Sequence, residues 1–134
     1  PMRHGWFNTG LYNLEKGRYP AGREGLWERT GQPTDIGKYR VPTLRHLALT
    51  APYYHDGSGA TLSDVLKNYN RGGRLTTSGP YQGDGKLNPY KDPRIRELGL
   101  TQGELDDIEA FLLSLTDKRD AEREDWSDPW PRLE

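Results

Sequence analysis

The stretch VPTLRHLALTAPYYHDGSGATLSDVLKNYNRGG, residues 41–73, decides how the chain is read. Its second half is a helix with both ends marked. Thr61 stands as N-cap with Asp64 three positions on, an approximate capping box. Leu62, Val65, Leu66 and Tyr69 follow the i, i+3, i+4, i+7 stripe of a helix with one apolar face. Gly72-Gly73 ends it. The middle, APYYHDGSGA, is a polar aromatic loop. The first ten residues form a short helix opening at Pro42, or an irregular turn. Tyr69 has two readings. In the last turn of an amphipathic helix it is by default a core aromatic. A phenolate there can also ligate ferric haem iron, whose charge lowers the phenol pKa.

Outward from this segment the chain is mostly loop. Glycines at 5, 10, 17, 22, 25, 31 and 37 punctuate residues 1–40, leaving space only for short extended pieces pinned by Trp6, Leu11, Tyr12 and Leu26. Residues 74–93 return to loop. Residues 101–116 carry the strongest helix, with Thr101 and Glu104 as a capping-box pair and Leu105, Ile108, Leu112 and Leu115 on one face. The charged tail from Asp117 holds Trp126, Pro129, Trp130 and Pro131 and is either a packing arm or a flexible end. The expected organisation is 1–116 as one portion and 117–134 as a Trp/Pro tail.

Composition sets the limits. The 134 residues include sixteen glycines and ten prolines, and only 32% are hydrophobic. Two helices of modest length cannot build a robust core alone, so a cofactor or partner is expected to complete the fold. No run of about eighteen apolar residues is present to span a membrane. Nineteen basic residues against twenty acidic leave a formal charge of −1, and Lys67, Arg71 and Arg74 are too few for a nucleic-acid surface. With no cysteine, disulfides, cysteine nucleophiles, Cys-ligated zinc and iron–sulfur clusters are excluded. So is a c-type haem attached to this chain, which needs CxxCH.

Polar and aromatic chemistry concentrates at 43–56. His4, His46 and His55 have no HExxH or similar ligand spacing, which argues against a zinc hydrolase. His55 and Ser58 lack a nucleophile elbow, which argues against a serine hydrolase. Arg45 is either a surface charge or a bidentate clamp for a carboxylate. Main-chain carbonyls around Thr50–Pro52 suit a hard cation such as calcium.

Segment 41–73 resembles the C-terminal haem domain of the bacterial di-haem cytochrome c peroxidase and MauG superfamily, whose stretch reads P-T-L-R-N-x-A-L-T-A-P-Y-x-H-D-G-S before T-L-x-x-V and a glycine pair. Trp6 to Leu11 resembles the piece just after the family's second CxxCH, and Leu100 to Thr116 its closing helix. The resemblance implies a mainly α, loop-rich C-terminal part of a cytochrome c-like haem domain. It implies that Tyr69 is the distal ligand of the haem iron, a position held by Met in the peroxidases and by Tyr in MauG-like enzymes. It implies that Arg45 lies near the haem propionates, that His55 and Asn8 support the haem site, and that the Thr50 and Pro52 carbonyls hold calcium. Haem c would be anchored outside this chain, on a haem-bearing N-terminal portion or partner chain in the periplasm.

The activity so implied is MauG-like oxidation by hydrogen peroxide of a protein or small aromatic electron donor. The alternatives are cytochrome c-dependent peroxide reduction, or a haem-free structural module. Two positions depart from the family pattern: Phe7 stands for a His, and His46 for an Asn. Without CxxCH the chain reads as a C-terminal piece of the enzyme and carries no catalytic residue of its own.

Overall fold

The computed structural model describes residues 5–14 and 19–117. The tail read as an arm lies outside them from residue 118. Among the described residues the fold is mainly α and rich in loop, as the resemblance implies. Strand β1 (Trp6–Phe7) pairs antiparallel with β2 (Tyr39–Arg40) in the register Trp6↔Arg40, Phe7↔Tyr39. The long loop they bracket includes one α-helical turn, α1 (Trp27–Thr30), closed by Gly31, and a 3₁₀ turn at Pro33–Asp35. Asp35 is fully buried in that loop and accepts hydrogen bonds from Thr30 Oγ1 and Lys38 Nζ, each at 3.0 Å.

Helix α2 (Leu62–Arg71) forms as the caps dictate. The Thr61 hydroxyl accepts from the Asp64 amide at 3.1 Å, and Gly72 closes the helix with a left-handed φ of 80°. Helix α3 (Gln102–Ser114) packs against α2 and starts with a complete capping box. Its Thr101 N–H donates to Glu104 Oε2 at 2.8 Å. Replacing Thr101 with alanine should lower stability by about 1 kcal/mol in urea denaturation. Leu105 and Leu112 of α3 join Leu62, Leu11, Tyr12 and Leu26 in a small core.

Of the two readings of residues 41–50 the irregular turn holds, and one further expectation needs correction. Pro42 starts no helix: the only helical turn in that stretch is a 3₁₀ turn, Leu47–Leu49, entered from His46 in the left-handed region at φ 62°. The His46 amide is instead tied to the Leu115 carbonyl at the end of α3, at 3.3 Å. Residues 74–93 are not loop throughout. They hold a two-residue ladder between β3 (Leu75–Thr76) and β4 (Gly83–Asp84), followed by a 3₁₀ turn at Gly85–Leu87. Strands of two residues show no alternation from which they could be read.

Candidate haem-facing site

Tyr69 sits in the last turn of α2, and the end of that turn is clamped on both sides. Asn70 Nδ2 donates to the Leu100 carbonyl at 2.9 Å, and the Leu100 amide donates back to Asn70 Oδ1 at 2.8 Å. Arg71 makes a bidentate pair with Asp84, at 2.7 and 2.5 Å. Gly72 and Gly73 let other strands of chain pass against the helix end. A Cβ at Gly72 would lie 2.7 Å from the Glu97 nitrogen, and one at Gly73 2.5 Å from the Lys86 nitrogen.

The apolar stripe runs as the spacing implies but rises out of the core. Leu62 is buried, Val65 and Leu66 are half-buried, and Tyr69 is 37% exposed. Tyr69 lines a small cleft with Gly10, Leu11, Tyr54, Asn68 and Arg74. Its hydroxyl makes no hydrogen bond among the described residues. Burial alone pushes its phenol pKa above the ordinary value, so without a cation beside it the group stays protonated at neutral pH. Neighbouring Tyr54, itself at a left-handed φ of 69°, accepts a hydrogen bond from Asn68 Nδ2 at 3.1 Å.

Behind the cleft lies a buried charge network. Asp56, its side chain 3% exposed, accepts from the Ser58 amide at 3.0 Å, the Ser58 hydroxyl at 2.6 Å and the Tyr12 hydroxyl. Arg74 Nη1 lies 3.6 Å from Asp56 Oδ2, and its guanidinium carbon stands 4.8 Å over the Tyr12 ring. Arg74 Nε donates to the Leu11 carbonyl at 3.1 Å. Burial pushes the Asp56 carboxyl up, but the bonds from Ser58 and Tyr12 and the nearby Arg74 charge outweigh it, and its pKa falls below the ordinary carboxylate value.

No family model matches the chain. The crystal structure of a MauG-like protein associated with microbial copper homeostasis superimposes with a TM-score of 0.86 at 48% identity, over 94% of this chain and 36% of that one. Cytochrome-c peroxidase IdrP1 of Denitromonas iodatirespirans is 37% identical over 116 residues, 86% of this chain and 28% of the relative. Methylamine utilization protein MauG of Paracoccus denitrificans (strain Pd 1222) is 31% identical over 137 aligned positions, covering 85% and 34%. The chain belongs to the MauG-like and cytochrome c peroxidase family. It spans about a third of the length of these relatives.

The residues singled out by the family resemblance do not all converge. Asn8 is 1% exposed and both its amide atoms hold backbone: Nδ2 donates to the Ile36 carbonyl at 2.9 Å, and Oδ1 accepts from the Gly10 amide at 2.9 Å. It thereby sets the strand of chain that floors the Tyr69 cleft. His55 stacks on Tyr39 at 3.7 Å, and its partial burial, with the Arg23 and Arg74 charges nearby, holds its pKa below the ordinary imidazole value. Arg45 is exposed and lies away from the cleft lining. Thr50 and Pro52 flank an exposed turn, and their carbonyl oxygens accept no hydrogen bond from the described residues. Among those residues no cluster of three His, Cys, Asp or Glu side chains forms a metal site. Sequence reading missed Arg74 and Tyr12 as one unit, and the only local signal was an arginine directly after a glycine pair.

Proposed function

We propose that this chain supplies the distal side of the C-terminal haem in a MauG-like di-haem c-type peroxidase or oxidase, with Tyr69 as the iron ligand. The observation that carries this reading is the Tyr69 phenol, which stands on a cleft, partly sheltered, with no hydrogen-bond partner among the described residues. A phenol serving only the core would be buried or hydrogen-bonded. The exposed apolar surface supports a further body. Among the described residues ten large hydrophobic side chains are exposed, Leu44 at 51%, Leu49 at 52% and Phe111 at 60% among them, against six buried. These features fit a haem: one oxygen donor, on an apolar helix face.

Haem c, held through a CxxCH on the haem-bearing portion or partner chain, supplies a redox-active iron. The residues here orient the donor. Asn70 and Arg71 lock the end of α2, and Gly72-Gly73 let the neighbouring chain pass close against it. The Thr50 and Pro52 carbonyls, left without internal donors, would hold calcium. Arg45, exposed and charged, would meet a propionate. A phenolate favours the ferric and higher states of iron by charge donation, which suits peroxide-driven oxidation of a protein or small aromatic donor better than cytochrome c-dependent peroxide reduction. Among the described residues no helix is long and apolar enough to cross a membrane, and we place the protein in the periplasm.

Replacing Tyr69 with phenylalanine in the haem-loaded protein should abolish the low-spin ferric signal of the C-terminal haem in electron paramagnetic resonance. An unchanged spectrum would refute the ligand assignment.

A further inference from the structure

Five aromatic rings form one connected set centred on Tyr12, whose hydroxyl donates to the buried Asp56 carboxylate. Tyr12, 8% exposed, is met edge-on by Tyr19 at 5.4 Å and 77°, by Tyr81 at 5.8 Å and 71°, and by His55 at 6.3 Å and 62°. His55 in turn stacks on Tyr39 at 3.7 Å and 11°. The series has two distinct ends. At one, Arg74 covers the Tyr12 ring and also lines the Tyr69 cleft. At the other, Tyr19 and Tyr81 wall an open groove of about 510 Å³ with Trp27, Ile36, Pro80 and Glu24.

A buried tyrosine needs one hydrogen-bond partner, and a main-chain carbonyl would serve. Tyr12 has a carboxylate instead, and that carboxylate is itself fixed by Ser58 and Arg74. The difference matters chemically. A phenol that loses an electron becomes a strong acid, and a base already in hydrogen-bond reach lets the neutral radical form readily and takes the proton where it can be returned. Asp56 is such a base, and its immobility keeps reorganisation small. The groove volume matches small-molecule sites, and its rings offer stacking faces to a flat, electron-rich molecule.

The geometry points to Tyr12 as a redox-active tyrosine, with Asp56 as its proton acceptor and the groove of Tyr19, Trp27 and Tyr81 as the docking place of a small aromatic reductant. In the oxidising step a one-electron oxidant takes an electron from Tyr12. The phenolic proton moves to Asp56 Oδ2, leaving a tyrosyl radical and a carboxylic acid. In the restoring step a phenol or hydroquinone in the groove gives one electron through Tyr19 or Tyr81 and releases its own proton to solvent. Asp56 then returns its proton to the Tyr12 oxygen. The physiological oxidant, a peroxide-activated haem, rests on the function proposed above; the tyrosine chemistry does not.

The test therefore has two arms on the full protein. In the first, photogenerated ruthenium(III) tris-bipyridine replaces the haem as oxidant. Wild type should give a long-lived tyrosyl radical by optical and paramagnetic resonance detection. Its light-minus-dark infrared spectrum should show a carboxylate becoming a carboxylic acid. Both signals should be lost in Tyr12→Phe, which keeps the ring contacts. A radical and an infrared change that persist in Tyr12→Phe would overturn the proposal. In the second arm the haem-loaded protein oxidises hydroquinone with peroxide. Tyr12→Phe should lower kcat, while Trp27→Ala should raise KM; a KM unchanged in Trp27→Ala would overturn the docking site. Should wild type consume no peroxide, the proposed function fails and the photochemical arm alone decides Tyr12.

Discussion

Replacing Asp56 with alanine should destabilise the protein by about 3–5 kcal/mol, the range for breaking a buried charge pair from one side. The substitution strands the Tyr12 hydroxyl and leaves an Arg74 guanidinium that is only 15% exposed without its carboxylate, while the exposed Ser58 groups turn to water. Asp56→Asn keeps the shape and removes the charge, so its loss should be smaller but of the same sign. The two proteins should also differ in their response to acid. The folded state holds the Asp56 pKa below the ordinary carboxylate value. Its contribution is therefore complete above the unfolded pKa of about 3.9 and fades as pH falls through the lower folded value. Urea denaturation at neutral pH and at pH values below about 4 should show the gap between wild type and Asp56→Asn closing on the acid side. A gap that stays constant with pH would remove the carboxylate from this role.

What the sequence showed and what it hid divide by distance along the chain. Both long helices were legible, because a helix is decided within a few residues: Thr61 and Thr101 at the caps, the leucine stripes, and the glycine pair. The family segment was legible for the same reason, being one unbroken run. Hidden were the contacts that loops make across the fold. Tyr12 and Asp56 are 44 positions apart, Arg74 and Leu11 63, and Asn88 Nδ2 reaches the Tyr12 carbonyl across 76. No local period encodes such pairs. His46 shows the same limit. Its left-handed backbone ends any helix from Pro42, and its amide bonds Leu115 at the far end of α3. The lean composition proved informative in a way its percentages did not suggest. A core of few leucines is supplemented by buried polar residues, Asn8, Asp35 and Asn88, that tie loops to one another by hydrogen bonds.

One crossing of those loops concentrates the strain that a single methyl group can cause. Gly85 is buried where three segments touch: its amide donates to the Arg74 carbonyl at 2.8 Å, and the Arg74 amide donates to the Gly10 carbonyl at 2.9 Å. A Cβ on residue 85 would lie 1.8 Å from the Gly10 oxygen, which is backbone and cannot swing aside. Gly85→Ala must therefore push the chain at Gly10 or Arg74 away. Forcing a shift of this kind costs about 1–3 kcal/mol, and a buried hydrogen bond lost with it adds about 1–3 kcal/mol. Thermal or urea denaturation should register a loss near the sum. Gly103→Ala is the internal control. It stands on α3 with nothing within 4 Å of the added carbon, and it should raise stability by up to about 1 kcal/mol through helix propensity. Opposite signs for one chemical change would establish that contact at the crossing decides the outcome. Because Gly10, Leu11 and Arg74 also line the cleft of Tyr69, Gly85→Ala should disturb the environment of that phenol, whereas Gly103→Ala should leave it as it is.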